Sequence, residues 1–98
     1  MKKQNRGDST RTRILKAGIR MWKKDPASVN AHAISKYIGM THGTVMYHFP
    51  YGVRDAVAEY ALEIKDPVII AQLIATGSAL VKNMAPSERT EYMKLAAL

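Results

Sequence analysis

A chain of 98 residues with a net charge of +7 and no cysteine has room for one domain with a modest core. That points to a compact bundle or an obligate partner rather than a large active-site cleft, and the lack of cysteine removes disulfides, thiol catalysis and cysteine-ligated zinc and suits a cytoplasmic setting. The charge is uneven: residues 1–54 hold eleven Lys and Arg against two acids, a net +9, while residues 55–98 hold four against six, a net −2, so the field that attracts polyanions belongs to the N-terminal half.

Residues 1–9, MKKQNRGDS, read as a basic N-terminal arm. An amphipathic pattern follows them in place of a continuous apolar stretch, so no cleaved signal peptide is expected. Asp8 and Ser9 offer an N-cap for a first helix. Its inner face carries Ile14, Gly18, Met21 and Trp22 and its outer face Arg11, Arg13, Lys16 and Arg20. Asp25-Pro26 stops it, because proline disfavours helical geometry in the residue before it.

A second helix of about nine residues starts at Asn30 as cap, with Val29 placed to staple onto Ile34, and ends at Gly39 in a left-handed turn. The same grammar repeats at once. Thr41 caps a third helix, Met40 staples to Val45, and the helix runs to His48 before Pro50 and Gly52 break it. Two short helices meeting at Gly39-Met40-Thr41 have the connection length of a helix-turn-helix.

A fourth helix begins near Val53, with Val53, Val57, Tyr60, Ala61 and Ile64 on one face. Asp66-Pro67, a cap followed by proline at the first helical position, opens a fifth, expected to reach about Asn83. The segment PVIIAQLIA at 67–75 is too short to span a membrane and contains Gln72. The apolar stripe of the fifth helix, Ile70, Leu73, Ile74, Gly77, Leu80, Val81 and Met84, is widened by Val68 and Ile69 and is too broad for one flank to bury. Pro86-Ser87 restarts a last helix with Ser87 as cap and Glu88 and Glu91 in its first turn. The expected fold is all-α, with no internal repeat or linker. Its parts are the arm, a helix-turn-helix region at 10–65 and a C-terminal helical region at 66–98.

The third helix carries the functional signal. With Val45 facing the core and about 100° per residue, Phe49 falls about 40° away and completes the inner edge. Gly43 and Tyr47 then point outward, Thr44 and Met46 flank them, and His42 and His48 stand at the shoulders. This outward face is small, neutral and able to hydrogen bond, which suits base edges in the major groove, with cations around it for phosphates. The plain alternative is a short connecting helix with exposed Tyr and Met.

Thr10 to Trp22, TRTRILKAGIRMW, resembles the first helix of the tetracycline-repressor (TetR) family, and Ala33 to Thr44, AISKYIGMTHGT, resembles its helix-turn-helix. His48-Phe49-Pro50 and Arg54-Asp55-Ala56-Val57 also fall near the family's expected places, and the likeness covers residues 10 to about 63. It implies that Thr41, His42, Tyr47 and His48 contact phosphates or base edges, that Thr44 reaches the bases, and that Asn30 holds a phosphate at the start of the second helix. It also places Arg54 where the family has a phosphate-binding lysine. Met46 stands where the family usually has tyrosine, so that contact is lost or shifts to Tyr47. The family's large inducer-binding region is not represented, so no small-molecule effector or cofactor is expected.

Two protomers would instead combine their C-terminal helices in a four-helix dimer interface, with the Gly77-Ser78-Ala79 run at the crossing. A homodimer implies a palindromic duplex site with half-sites about one turn apart.

Three histidines raise the question of a metal, but His42 and His48 do not share a helical face and no acids accompany them, so no metal is expected. No Ser-His-Asp grouping is suggested, and no enzyme is expected. The expected function is sequence-specific binding of double-stranded DNA by a homodimeric regulator that represses by occupying a promoter, cytoplasmic and of phage or plasmid type. The alternative is an architectural or assembly protein that marks an origin, partition or packaging site.

Overall fold

The computed structural model of the chain describes residues 6–98. Six α-helices follow one another: α1 (Arg6–Lys24), α2 (Ala31–Ile38), α3 (His42–His48), α4 (Val53–Glu63), α5 (Pro67–Ala75) and α6 (Pro86–Ala97). Short 3-10 turns lie at Pro26–Ser28 and Ala79–Val81. Among the described residues every regular element is helical, and no helix is long and apolar enough to cross a membrane. Of the expected basic arm, residues 1–5 lie outside the described residues, whereas 6–9 already belong to α1. Asp8 and Ser9 therefore lie inside the helix rather than capping it.

The chain forms two compact units, one ending at Val57 and one running from Ala58 to Leu98. In the first unit, Ile14, Ala17, Ile19 and Trp22 of α1, Ile34 of α2, Val45 of α3, and Phe49, Val53 and Val57 are buried. Burying a large apolar side chain of this kind stabilises by roughly 1.5–3 kcal/mol. Gly18 lies where α1 approaches α4, and a Cβ there would overlap the methyls of Val57.

Local capping sets the helix boundaries of this unit. Asn30 Oδ1 accepts from Ala33 N at 2.8 Å and starts α2. Gly39 ends it at φ 73, and the Met40 N–H donates back to the Ser35 carbonyl at 2.9 Å, satisfying a terminal carbonyl at no Cβ cost. Thr41 Oγ1 accepts from Thr44 N at 3.1 Å and starts α3. Val29 and Ile34 are both buried, as a staple requires.

In the second unit, Ala58 and Ala61 of α4, Ile69, Ile70, Ala71 and Leu73 of α5, and Val81 are buried, and α5 packs on α6. Asp66 caps α5 through bonds from Val68 N and Ile69 N to Oδ1, with Pro67 at the first position. The expectation that α5 continues to Asn83 is corrected. The helix stops at Ala75, Gly77 takes φ 72, and Ser78 N donates to the Leu73 carbonyl at 2.9 Å. A glycine stop signal with its bridging bonds outweighs the apolar periodicity that continues past it.

Ser78 then caps the 3-10 turn through Leu80 N, and Arg89 ties that turn to α6. Its Nη2 donates to the carbonyls of Val81 at 2.9 Å and Lys82 at 3.2 Å, and its Nε to Met84 O at 3.1 Å. The cap position of α6 is Ala85, with no side-chain cap bond and Pro86 next. The proline's φ suits the first helical position, so Ser87 falls inside the helix instead of capping it.

Candidate nucleic-acid interface

The α2–α3 pair is a two-helix unit joined through Gly39, Met40 and Thr41, and the two helices pack on each other. Its inner edge is apolar: Ile34, Val45 and Phe49 are buried. On the outer side of α3, Tyr47 is 82% exposed and Met46 36% exposed, and His42 and Gly43 are exposed beside them. A Cβ built on Gly43 would meet only Thr41 Oγ1, at 3.9 Å, so nothing in the fold calls for glycine there.

The other residues singled out in the sequence are more committed. Thr44 is half-buried, and its hydroxyl lies 2.9 Å from that of Thr41. Thr41 Oγ1 also accepts from Thr44 N, so each oxygen keeps a lone pair for an outside donor when Thr41 donates to Thr44, whereas the reverse direction fills both acceptor positions of Thr41. Asn30 is exposed, with Oδ1 used by its own cap, and its amide keeps two N–H donors suited to a phosphate. His48 is half-buried, with its ring edge-on to Tyr47 at 5.3 Å between centroids.

Arg54 bends back onto its own unit: its guanidinium carbon lies 4.2 Å from the centroid of the Trp22 ring, and Nη1 donates to the Pro26 carbonyl. This packs the start of α4 against the end of α1 and uses part of the donor fork that was expected to meet phosphate.

Two relationships escaped sequence reasoning. Arg11, counted only as one cation of a basic face, reaches α3, where Nη1 donates to the His48 carbonyl at 3.3 Å and the guanidinium carbon stands 4.5 Å from the Phe49 ring centroid. The helical wheel could have flagged it, because Arg11 sits about 160° around α1 from Arg13. His32 and His42 also come together, with ring centroids 5.9 Å apart. They begin α2 and α3 respectively, so only the packing of those helices makes them neighbours. Among the described residues no group of three or more His, Cys, Asp or Glu is arranged to hold a metal ion.

Comparison with protein-family models, curated proteins and solved structures finds no match. The surface of α3 offers a nearly neutral, hydrogen-bonding outer face, and residues 28–53 contain Lys36 as their only Lys or Arg.

The expected dimer stripe is split by burial. Ile70, Leu73 and Val81 are buried, Ile74 and Met84 are half-buried, and Gly77 and Leu80 are exposed. The other large apolar residues on the surface of this unit are Ile64, Met93, Leu95 and Leu98.

Proposed function

We propose that this protein binds double-stranded DNA in a sequence-specific manner, with α3 in the major groove, as a homodimeric transcriptional regulator that represses by occupying its site. The observation that carries the reading is the outer face of α3. Tyr47 is 82% exposed on a helix whose opposite edge is buried, beside a glycine that the fold does not require. Exposing a tyrosine, a methionine and a bare backbone serves no packing purpose, whereas base edges call for short polar and methyl contacts at close approach. The resemblance of residues 10–63 to the head of the tetracycline-repressor family supports the same assignment, with Tyr47 and Thr44 reading bases and Asn30, Thr41, His42 and His48 meeting phosphates.

Dimerisation is drawn from the second unit. Leu80, 39% exposed, together with Ile64, Met93 and Leu95, offers apolar surface that a second copy would cover, and two copies would present two recognition helices to a palindrome. Selection of bound duplexes from a random library near physiological salt, followed by the mass of the complex on the winning sequence, tests the whole reading. An enriched palindrome bound by two chains is the expected result. Enrichment of no sequence would exclude base readout and favour the architectural alternative.

A further inference from the structure

We infer that His32 and His42 form a proton-linked phosphate-binding pair on the α2–α3 unit: the chain takes up protons as it binds DNA, and so binds more tightly as pH falls through the range in which imidazole gains its charge. This rests on the DNA-binding reading and adds to it a residue, His32, and a means of regulation.

The pair is made by packing. The two ring centroids lie 5.9 Å apart, with their planes inclined at 60°. Both residues are exposed, and among the described residues neither ring donates or accepts a hydrogen bond. Their ring nitrogens are therefore open to a ligand. The reading above sets His42 against a phosphate, and a DNA backbone that meets the His42 ring comes within reach of His32 beside it.

Protonation would supply what this surface lacks. Residues 28–53 contain Lys36 as their only Lys or Arg, and Arg11 and Arg54 are engaged with rings and backbone carbonyls. A neutral imidazole has one N–H donor and one acceptor nitrogen, whereas its protonated form has two donors and a positive charge. The protonated pair thus doubles its donors and provides the charge that phosphate contacts otherwise draw from Lys and Arg.

The α2–α3 unit itself offers no carboxylate to hold that charge. Residues 26–54 contain no acid. Besides the pair, α2 and α3 carry only Lys36, Tyr37, Tyr47 and His48 as ionisable groups. On α1, which packs on α2, Asp8 lies near the start and the ionisable groups from Arg11 to Lys24 are all cations. Asp25, just past α1, has Oδ1 engaged by Ala27 N at 3.2 Å. Two imidazolium groups so close also repel each other. A phosphate at the pair supplies the missing anion and offsets that repulsion. Protons and DNA then favour each other's binding, by the same factor in both directions. Because protonation adds positive charge, affinity rises as pH falls between about pH 8 and pH 5.

The test measures the affinity of the full chain for the selected duplex across that range, at fixed ionic strength in phosphate-free buffer. Binding on the order of 10-fold tighter at the acid end is expected. The plot of log affinity against log salt should also be steeper there by about 1–2, as each imidazolium displaces about one more counterion. His32→Gln should remove at least about half of the logarithmic gain, and His32→Gln/His42→Gln should reduce it to within about 2-fold, since glutamine hydrogen bonds without titrating. Reading the ratio of affinities between two pH values cancels any loss common to both. His48→Gln should keep most of the gain, and circular dichroism at both ends of the range checks that each variant folds.

A gain that survives the double variant, or that disappears with His48→Gln alone, would overturn the inference and move the proton uptake elsewhere. A gain with an unchanged salt slope would do the same, because the protons would then not meet phosphate. A chain that binds duplex with an affinity independent of pH defeats this inference alone, whereas a chain that binds no duplex at any pH defeats the DNA-binding reading beneath it.

Discussion

Arg11 of α1 closes the C-terminal end of α3. Its guanidinium carbon lies 4.5 Å from the Phe49 ring centroid, and Nη1 donates to the His48 carbonyl at 3.3 Å. A cation at a helix C-terminus meets both an unsatisfied carbonyl and the negative end of the helix dipole. Replacing Arg11 with Met keeps the aliphatic stem and removes charge and donor. An exposed cation–π contact and one hydrogen bond together contribute about 1–2 kcal/mol, so the melting temperature should fall by several degrees, at roughly 4–8 °C per kcal/mol for a domain of this size. Specific DNA binding should weaken as α3 loosens, with the salt slope unchanged. A slope smaller by about one would instead make Arg11 a phosphate ligand.

Gly43 separates folding from binding. Because a Cβ there meets only Thr41 Oγ1 at 3.9 Å, Gly43→Ala should raise stability by about 0.5–1 kcal/mol through the lower entropy of the unfolded chain. If the α3 backbone comes close to a base edge, the same change should reduce specific affinity about tenfold or more. A variant that is both more stable and equally tight in binding would remove Gly43 from the contact surface.

Tyr47→Ala should cost little stability, because the ring is 82% exposed. It should lower affinity for the selected site by about 1–3 kcal/mol, the range of a base contact, and leave affinity for random duplex nearly unchanged. Thr44→Ala differs in kind: its hydroxyl sits 2.9 Å from that of Thr41, at the cap of α3, so some stability should be lost along with discrimination. Competition titrations against random duplex measure both, and equal losses on the two DNAs would count against base readout.

Lys65 is the one non-glycine residue with positive φ among those described, at φ 58, and it closes α4. Asp66 N bonds to the Ala61 carbonyl at 2.9 Å and Lys65 N to the Leu62 carbonyl at 3.2 Å, the bridging pattern that usually takes glycine. A side chain in this conformation costs roughly 1–2 kcal/mol, partly offset by the extra unfolded-state entropy of glycine. Lys65→Gly should therefore stabilise by about 0.5–1 kcal/mol in denaturant melts, and a destabilised variant would mean that the lysine stem makes a compensating contact.

Leu73 and Leu80 should respond differently to charge. Leu80 is 39% exposed and Leu73 only 6%. Leu80→Glu should leave a folded chain that sediments as a monomer and binds its palindrome weakly. Leu73→Glu should unfold the C-terminal unit, because a buried unpaired carboxylate costs several kcal/mol. A Leu80→Glu chain that still sediments as a dimer would move the interface elsewhere on the surface.

The boundaries of α2 and α3 were legible because their signals act over three or four residues. Asn30, Gly39 and Thr41 each bond to backbone within that reach, and the same holds for Asp66 at the start of α5. Where two local signals competed, reading was harder. Apolar residues at helical spacing run through Gly77, yet the glycine stop ends α5 at Ala75. The apolar stripe consequently breaks into residues that the chain buries, such as Ile70 and Val81, and others, such as Leu80, that it leaves on the surface.

The sequence by itself determined an all-helical chain, the caps of its short helices and the concentration of positive charge in its first half, since each follows from local backbone chemistry or simple composition. How Arg11 and Arg54 are engaged was decided only by tertiary structure. Arg11 reaches a carbonyl 37 residues away and Arg54 one 28 residues away, and both guanidinium groups settle over rings that packing brings beneath them. Pairings at such separations depend on how helices cross rather than on any pattern along the chain. They leave the surface of α3 nearly neutral and the positive charge of the head along α1.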